Sequence, residues 1–196
     1  MFHLVFIVAR SLRDRSTRIF KVVLLGDGGV GKTALRERFL GRGFESSYMA
    51  TVGADFATHE VEVGGERIKL QIWDLAGQAR FKDVRSGFFS GALGCLMVYD
   101  VARRQSAENL KSWLEELQQN SKKTAVLSVV ANKIDLRETD NTALSTELGL
   151  SIARKLQDYH SEGWEVPYYE TSAKESINVP EAFLGLTTKI LEFLPK

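Results

Sequence analysis

One cysteine, three prolines and three histidines in 196 residues close off several chemistries at once. With Cys95 alone, neither an intramolecular disulfide nor a cysteine-based zinc site can form, and His3, His59 and His160 have no ligand spacing. Neither charge sign is in excess. The 26 basic and 25 acidic residues leave a net charge of +1, without the clustered basic footprint of a nucleic-acid binder, so no nucleic-acid partner is expected. Long apolar runs are missing as well. The run near the start, residues 2–9, falls far short of the roughly 20 residues of a membrane span. No basic residue precedes it and no clean small-residue cleavage site follows, so a secretory leader is not expected. The chain reads as reduced and cytoplasmic.

What is present is an ordinary globular composition, 44% hydrophobic and 26% charged, at a length that suits one domain over residues 19–196. Residues 1–18 stand apart as an extension, apolar first and then rich in arginine: Arg10, Arg13, Arg15 and Arg18 face a single Asp14. A helix there would put Phe2, Val5, Phe6, Ala9 and Leu12 on one face above a basic collar, as a peripheral membrane helix does, although Leu4, Ile7 and Val8 spoil the opposite face. A segment packed on the domain, a disordered arm and a mis-set start codon are the other readings. The chain as read stops at Phe193-Leu194-Pro195-Lys196 with no cysteine, so no prenylation site is expected.

The body alternates short β-branched runs with helical patterns, which predicts an α/β fold with a mixed, mostly parallel six-stranded sheet and helices on both faces. Strands are expected at 19–25, 61–63, 68–72, 96–99, 126–130 and 166–169, the second and third pairing antiparallel across Gly64-Gly65 at one edge. Helical spacing covers 35–40, 107–117, 148–159 and a last helix that opens at Asn178-Val179-Pro180-Glu181 in a capping-box-like start. The stretch 76–90 is polar and without period, as a mobile loop would be. Cys95, inside an apolar strand, reads as inert core.

Four short motifs carry the chemistry, each at the carboxyl end of a predicted strand, and in an open α/β sheet those ends share the edge where ligands bind. Gly26-Asp27-Gly28-Gly29-Val30-Gly31-Lys32-Thr33 fits the phosphate-loop pattern, directly after a strand and opening a helix, and residues 27–34, Ala34 included, are the expected nucleotide contacts. Its backbone N–H groups would point at phosphates, Lys32 would reach the β- and γ-phosphates, and the Thr33 hydroxyl would ligate Mg²⁺. An aspartate at a strand end is commonly a turn residue. Beside a phosphate loop, Asp74 of Asp74-Leu75-Ala76-Gly77-Gln78 reads as the carboxylate that holds Mg²⁺, with Gly77 offering its N–H to the γ-phosphate and Gln78 orienting water. Asn132-Lys133-Ile134-Asp135 places a carboxylate that can accept from the N1–H and N2–H₂ edge of guanine, which adenine lacks, and Ser172-Ala173-Lys174 supports it.

With these residues the chain resembles the Ras superfamily of small GTPases, and most of all the Rab family, over about residues 20–194. Rab-like stretches are Val52-Gly53-Ala54-Asp55-Phe56, Lys69-Leu70-Gln71-Ile72-Trp73 and Met97-Val98-Tyr99-Asp100-Val101. The resemblance implies a P-loop NTPase G domain that binds GTP or GDP with Mg²⁺. It implies that Thr51 ligates Mg²⁺ and senses the γ-phosphate, that Tyr48 closes over the nucleotide, that Phe44 and Lys133 cover the two faces of guanine, and that the Ala173 N–H meets its O6. Switch loops fall at about 44–53 and 75–90. Effectors, a GTPase-activating protein and a nucleotide-exchange factor are the implied partners of a monomer in membrane-traffic or signalling control. Trp73 and Phe56 are read either as an effector surface or as packing residues of the hairpin.

Lys32, Thr51, Gly77 and Gln78 are the expected catalytic set. Where α-subunits of heterotrimeric G proteins supply an arginine in cis, this chain has Met49, so slow intrinsic turnover is expected. Two other readings stay open on sequence alone. A scaffold that holds GTP without hydrolysing it would keep the same motifs, and a P-loop kinase or ATPase would share Lys32 and Thr33 while preferring adenine.

Overall fold

The computed structural model describes residues 17–43, 51–121, 124–160 and 164–194. Six strands, β1 (Arg18–Leu25), β2 (Ala54–Val63), β3 (Glu66–Leu75), β4 (Gly94–Asp100), β5 (Val126–Asn132) and β6 (Tyr168–Thr171), lie side by side in the order β2-β3-β1-β4-β5-β6. Only β2 and β3 pair antiparallel, as the Gly64-Gly65 turn requires. The other neighbours are parallel, which sends all the strands but β2 out at one edge.

Parallel central strands are buried on both faces, and β1 shows the consequence. Its period of two sends Val23 and Leu25 into one core with α4 (Leu110–Asn120) and α5 (Thr146–His160). Phe20, Val22 and Leu24 go to the other, with α1 (Lys32–Phe39) and α6 (Val179–Phe193). Each fully buried side chain of this size is worth about 1.5–3 kcal/mol. The two cores clamp the sheet and hold its carboxyl edge still. Cys95 is fully buried in β4, and burial pushes its thiol well above the usual range, so it is inert core as expected.

Several expected boundaries moved, each for a local reason. Arg18 already pairs with Ile68 and reaches Glu66 at 3.1 Å, so the sheet begins one residue before the expected domain start; residues 1–16 lie outside the described residues. The hairpin strands are each ten residues, because backbone pairing continues past the alternating apolar positions. The sixth strand starts at Tyr168, since Pro167 has no N–H for a ladder. The expected helix 107–117 is two segments, α3 (Arg104–Glu108) and α4, although Asn109 between them keeps helical angles. Asn178 is not the expected cap. It takes a left-handed φ of 51°, makes no capping bond and donates Nδ2 to the Glu170 carbonyl at 2.9 Å. The stretch 76–90 contains a 3₁₀ turn (Ala79–Phe81) and α2 (Lys82–Ser86) rather than irregular loop throughout. Among the described residues no helix is long and apolar enough to cross a membrane.

Behind the site edge, Tyr168 links β6 to α5. Its hydroxyl donates to Glu170 at 2.7 Å, and Arg137 holds the same carboxylate oxygen at 2.7 Å. Gly149 in α5 makes room for that ring, because a Cβ there would overlap the Tyr168 hydroxyl and ring carbons. On helix propensity alone Gly149→Ala would stabilise by roughly 0.5–1 kcal/mol. Forced overpacking costs about 1–3 kcal/mol, so Gly149→Ala should lower the denaturant midpoint. A raised midpoint in equilibrium unfolding would show that the ring simply swings aside.

Candidate functional site

The first turn after β1 is built around Gly31. Its φ of 100° is left-handed, and a Cβ would overlap the Asn132 amide, so a side chain fits neither the backbone nor the space. The Leu35 N–H then bonds to the Gly31 carbonyl at 2.9 Å and α1 begins. Val30 is buried and Ala34 packs on the α1–α6 core. The loop is held from outside by three other elements: Asn132 Nδ2 donates to the Val30 carbonyl at 2.9 Å, Arg103 Nη2 donates to the Gly28 carbonyl at 2.9 Å, and the Asp27 carboxylate accepts from Asn109 and Trp113, both at 2.9 Å. The side chain of Asp27 therefore braces the loop, and only its backbone is free to serve a ligand. Gly28 and Gly29 leave the loop's inner surface to backbone groups.

Lys32 lies over this loop, its ammonium donating to the Gly26 and Asp27 carbonyls at 2.7 and 2.9 Å. It is buried, and burial lowers its amine to about 8, against the opposing pull of Asp74 and Asp27. Its hydrogen bonds go to carbonyl dipoles, and among the described residues it makes no direct ion pair.

Next to it is an oxygen cluster. Thr33 Oγ1 is 2.5 Å from Asp74 Oδ2 and 3.1 Å from Thr51 Oγ1, and Thr51 Oγ1 is 3.4 Å from the same carboxylate oxygen. Asp74 is fully buried, and burial raises its carboxyl against the Thr33 hydrogen bond and the charges of Lys32 and Arg36. Its Oδ1 has no hydrogen-bond partner. One carboxylate and two hydroxyls form the incomplete, all-oxygen set that suits Mg²⁺, which usually takes its remaining ligands from phosphate and water. Among the described residues no cluster of three or more His, Cys, Asp or Glu exists, so this is not an all-protein metal cage. Gly77, two residues past the end of β3, lies against the phosphate loop. Its Cα sits so close to the backbone of 26–28 that a Cβ would overlap it.

At the far end, Asn132 joins three loops: besides Val30, its Oδ1 accepts from Thr171 Oγ1 at 3.1 Å and from the Ala173 N–H at 3.3 Å. The Ala173 N–H, expected on a base, is here on Asn132. Lys133 takes a left-handed φ of 67° and its ammonium is 2.7 Å from Asp100 Oδ2. Asp135 accepts from Ser172 Oγ at 2.6 Å, and the exposed Lys174 is 4.0 Å from its other oxygen. Phe44 and Tyr48, with the rest of 44–50, lie outside the described residues.

Four residues that organise this edge escaped the sequence reading. Arg38 of α1 donates Nε to the Ala173 carbonyl and Nη2 to the Lys174 carbonyl, at 3.0 and 2.9 Å. Asp100 holds Lys133 and Arg103. Arg85, paired with buried Glu116 at 2.6 and 2.7 Å and lying 4.2 Å from the Trp113 ring centre, donates to the Ala76 and Gln78 carbonyls. Arg36 is likewise buried near the oxygen cluster. On helices, these arginines carry no local signal that separates them from solvated charge.

Comparison with known proteins agrees with this geometry. Residues 21–192 match the family model described as the Ras family. "GTP-binding protein YPTM1" of Zea mays is 41% identical over 88% of this chain and 78% of its own length. "Ras-related protein Rab-13" of Rattus norvegicus is 38% identical over 88% and 80%. "Ras-related protein RABG3a" of Arabidopsis thaliana is 41% identical over 92% and 86%. Members of that family bind guanine nucleotide with Mg²⁺ and work with effectors, GTPase-activating proteins and exchange factors. The chain belongs to the Ras family: it is a Rab-like small GTPase, a GTP-binding switch that hydrolyses GTP to GDP.

Proposed function

We propose that the crevice between the phosphate loop and the Asn132–Ser172 loops binds GTP or GDP, and that its catalytic set is Lys32, Thr51, Gly77 and Gln78. The observation that carries this is the buried, half-partnered Asp74 carboxylate, set beside two threonine hydroxyls and a lysine whose hydrogen bonds go to carbonyls. Thr33, Thr51 and Asp74 would hold Mg²⁺, which when bound neutralises charge on the β–γ phosphate oxygens.

Each of this chain's residues then has a definite task. Lys32 moves its ammonium from the loop carbonyls to the β- and γ-phosphates, the N–H groups of 27–34 receive phosphate oxygens, and Gly77 gives its N–H to the terminal one. Gln78 orients water for in-line attack, a reaction that rests on charge placement rather than covalent chemistry. Asp135, already aimed by Ser172, accepts from the guanine edge, the Lys133 stem and Phe44 cover its faces, Tyr48 closes over the nucleotide, and the Ala173 N–H and Lys174 complete the pocket. Loss of the γ-phosphate frees Thr51 and Gly77 and relaxes the two switch stretches. With Met49 where an arginine finger would act in cis, turnover is slow and an arginine from a partner accelerates it by roughly 10³–10⁵-fold.

Phe56, half-exposed on β2, stacks on Trp73 at 5.1 Å, and Trp73 lies 5.2 Å from Phe88. This row joins the strand after the first switch to the second. It is the surface we assign to an effector that reads the nucleotide state, in membrane-traffic or signalling control. The protein acts as a monomer with no nucleic-acid partner.

Two variants test the site. A fluorescent GDP bound to the wild type should be displaced by GTP and not by ATP, and Asp135→Asn should weaken it on the order of 10²-fold or more, because a guanine donor loses its acceptor. Displacement by ATP as effective as by GTP would refute the assignment of the base site. In single-turnover hydrolysis Gln78→Leu should be slower by about tenfold or more; equal rates would remove Gln78 from the mechanism.

A further inference from the structure

Arg36 lies one helical turn beyond Lys32 and Thr33, in a Leu35-Arg36-Glu37-Arg38 stretch that would ordinarily be half solvated. It is instead only 4% exposed. Its Nε and Nη2 donate to Glu37 Oε1 at 3.0 and 2.7 Å, and Nη2 also meets Asp55 Oδ2 at 2.7 Å. Asp55 stands directly opposite Asp74 in the β2–β3 ladder, so the two carboxylates leave the same face of the sheet as cross-strand neighbours. Like charges in that position repel. Asp55 relieves itself into solvent, with 62% of its side chain exposed, whereas Asp74 is fully buried. The guanidinium is bonded to Asp55, the residue across the ladder from Asp74, and the charge of Asp74 acts on it as well. On either side of this contact is a buried atom with no hydrogen-bond partner, Arg36 Nη1 and Asp74 Oδ1.

We propose that Arg36 is a positioning residue of the metal site: balanced by Asp55 and Glu37, it offsets the charge of Asp74 and thereby sets how tightly Mg²⁺ is held. This rests on the assignment of Thr33, Thr51 and Asp74 to Mg²⁺. The sign follows from charge alone. Removing the guanidinium leaves the charge of Asp74 without that offset and tightens its hold on the metal. Removing the Asp55 charge leaves the guanidinium less balanced and loosens it. A purely structural role would make both losses act the same way, by loosening the site.

The full chain loaded with N-methylanthraniloyl-GDP is released into excess unlabelled GDP across buffered free Mg²⁺, and the Mg²⁺ concentration at half-effect is read. Release from the wild type that ignores Mg²⁺ would sink the metal assignment itself. Given Mg²⁺ dependence in the wild type, Arg36→Met should lower the half-effect concentration on the order of tenfold, and Asp55→Asn should raise it. Arg36→Lys, which keeps the charge, should stay near the wild type. The proposal is overturned if the first two variants shift in the same direction, if neither shifts, or if Arg36→Lys follows Arg36→Met. Should Arg36→Met fail to fold by circular dichroism, Asp55→Asn decides: a raised half-effect supports the proposal, and an unchanged or lowered one overturns it.

Discussion

The carboxyl edge of this sheet is organised around one buried amide. Asn132, at the end of β5, donates to the loop after β1 and accepts from the loop after β6, so three chain segments far apart in sequence are referred to a single side chain. A buried amide of this kind stabilises only when its donors and acceptors are met, and both its Nδ2 and its Oδ1 are engaged here. The loops after β1 and β6 keep their spacing because each is bonded to Asn132. Gly31 takes part in this: the absence of a Cβ is what lets the amide come so close.

Around this fixed edge the molecule leaves charge under-compensated where a ligand arrives. Lys32 faces carbonyls, and Asp74 has one idle oxygen. Buried charges of this sort cost stability unless paired, and such departures from complete satisfaction concentrate at functional sites. A buried charge nearby is directly paired instead. Arg85 binds Glu116 through two nitrogens and fixes the carbonyls of Ala76 and Gln78. Trp113, against which Arg85 lies, also donates to Asp27, so the second switch and the phosphate loop share one support.

Much of this was legible in the sequence, for reasons that are themselves physical. The strand before Gly26 reads as apolar because it is buried on both faces. The phosphate loop is recognisable because its glycines, Lys32 and Thr33 act within a few residues of one another. Asp74, Asp135 and Ser172 became interpretable only through their order along the chain, each after a strand. What stayed hidden was chemistry created by approach in space. Arg36, Arg38 and Arg85 look like ordinary helix surface, and nothing nearby says that a carboxylate or carbonyl from another element will cover them. Asp100 and Asn109 are silent for the same reason. Pro167 and Asn178 misled locally: the first delays β6 by its missing N–H, and the second uses its amide on Glu170 instead of its own helix.

The grip of Arg38 has a mechanical corollary. Its two bonds reach the carbonyls of Ala173 and Lys174 from the same helix that carries Lys32 and Thr33 in its first turn. The helix that opens at Lys32 and the loop of Ala173 and Lys174 are thus one clasp, and torque on either jaw loads the other.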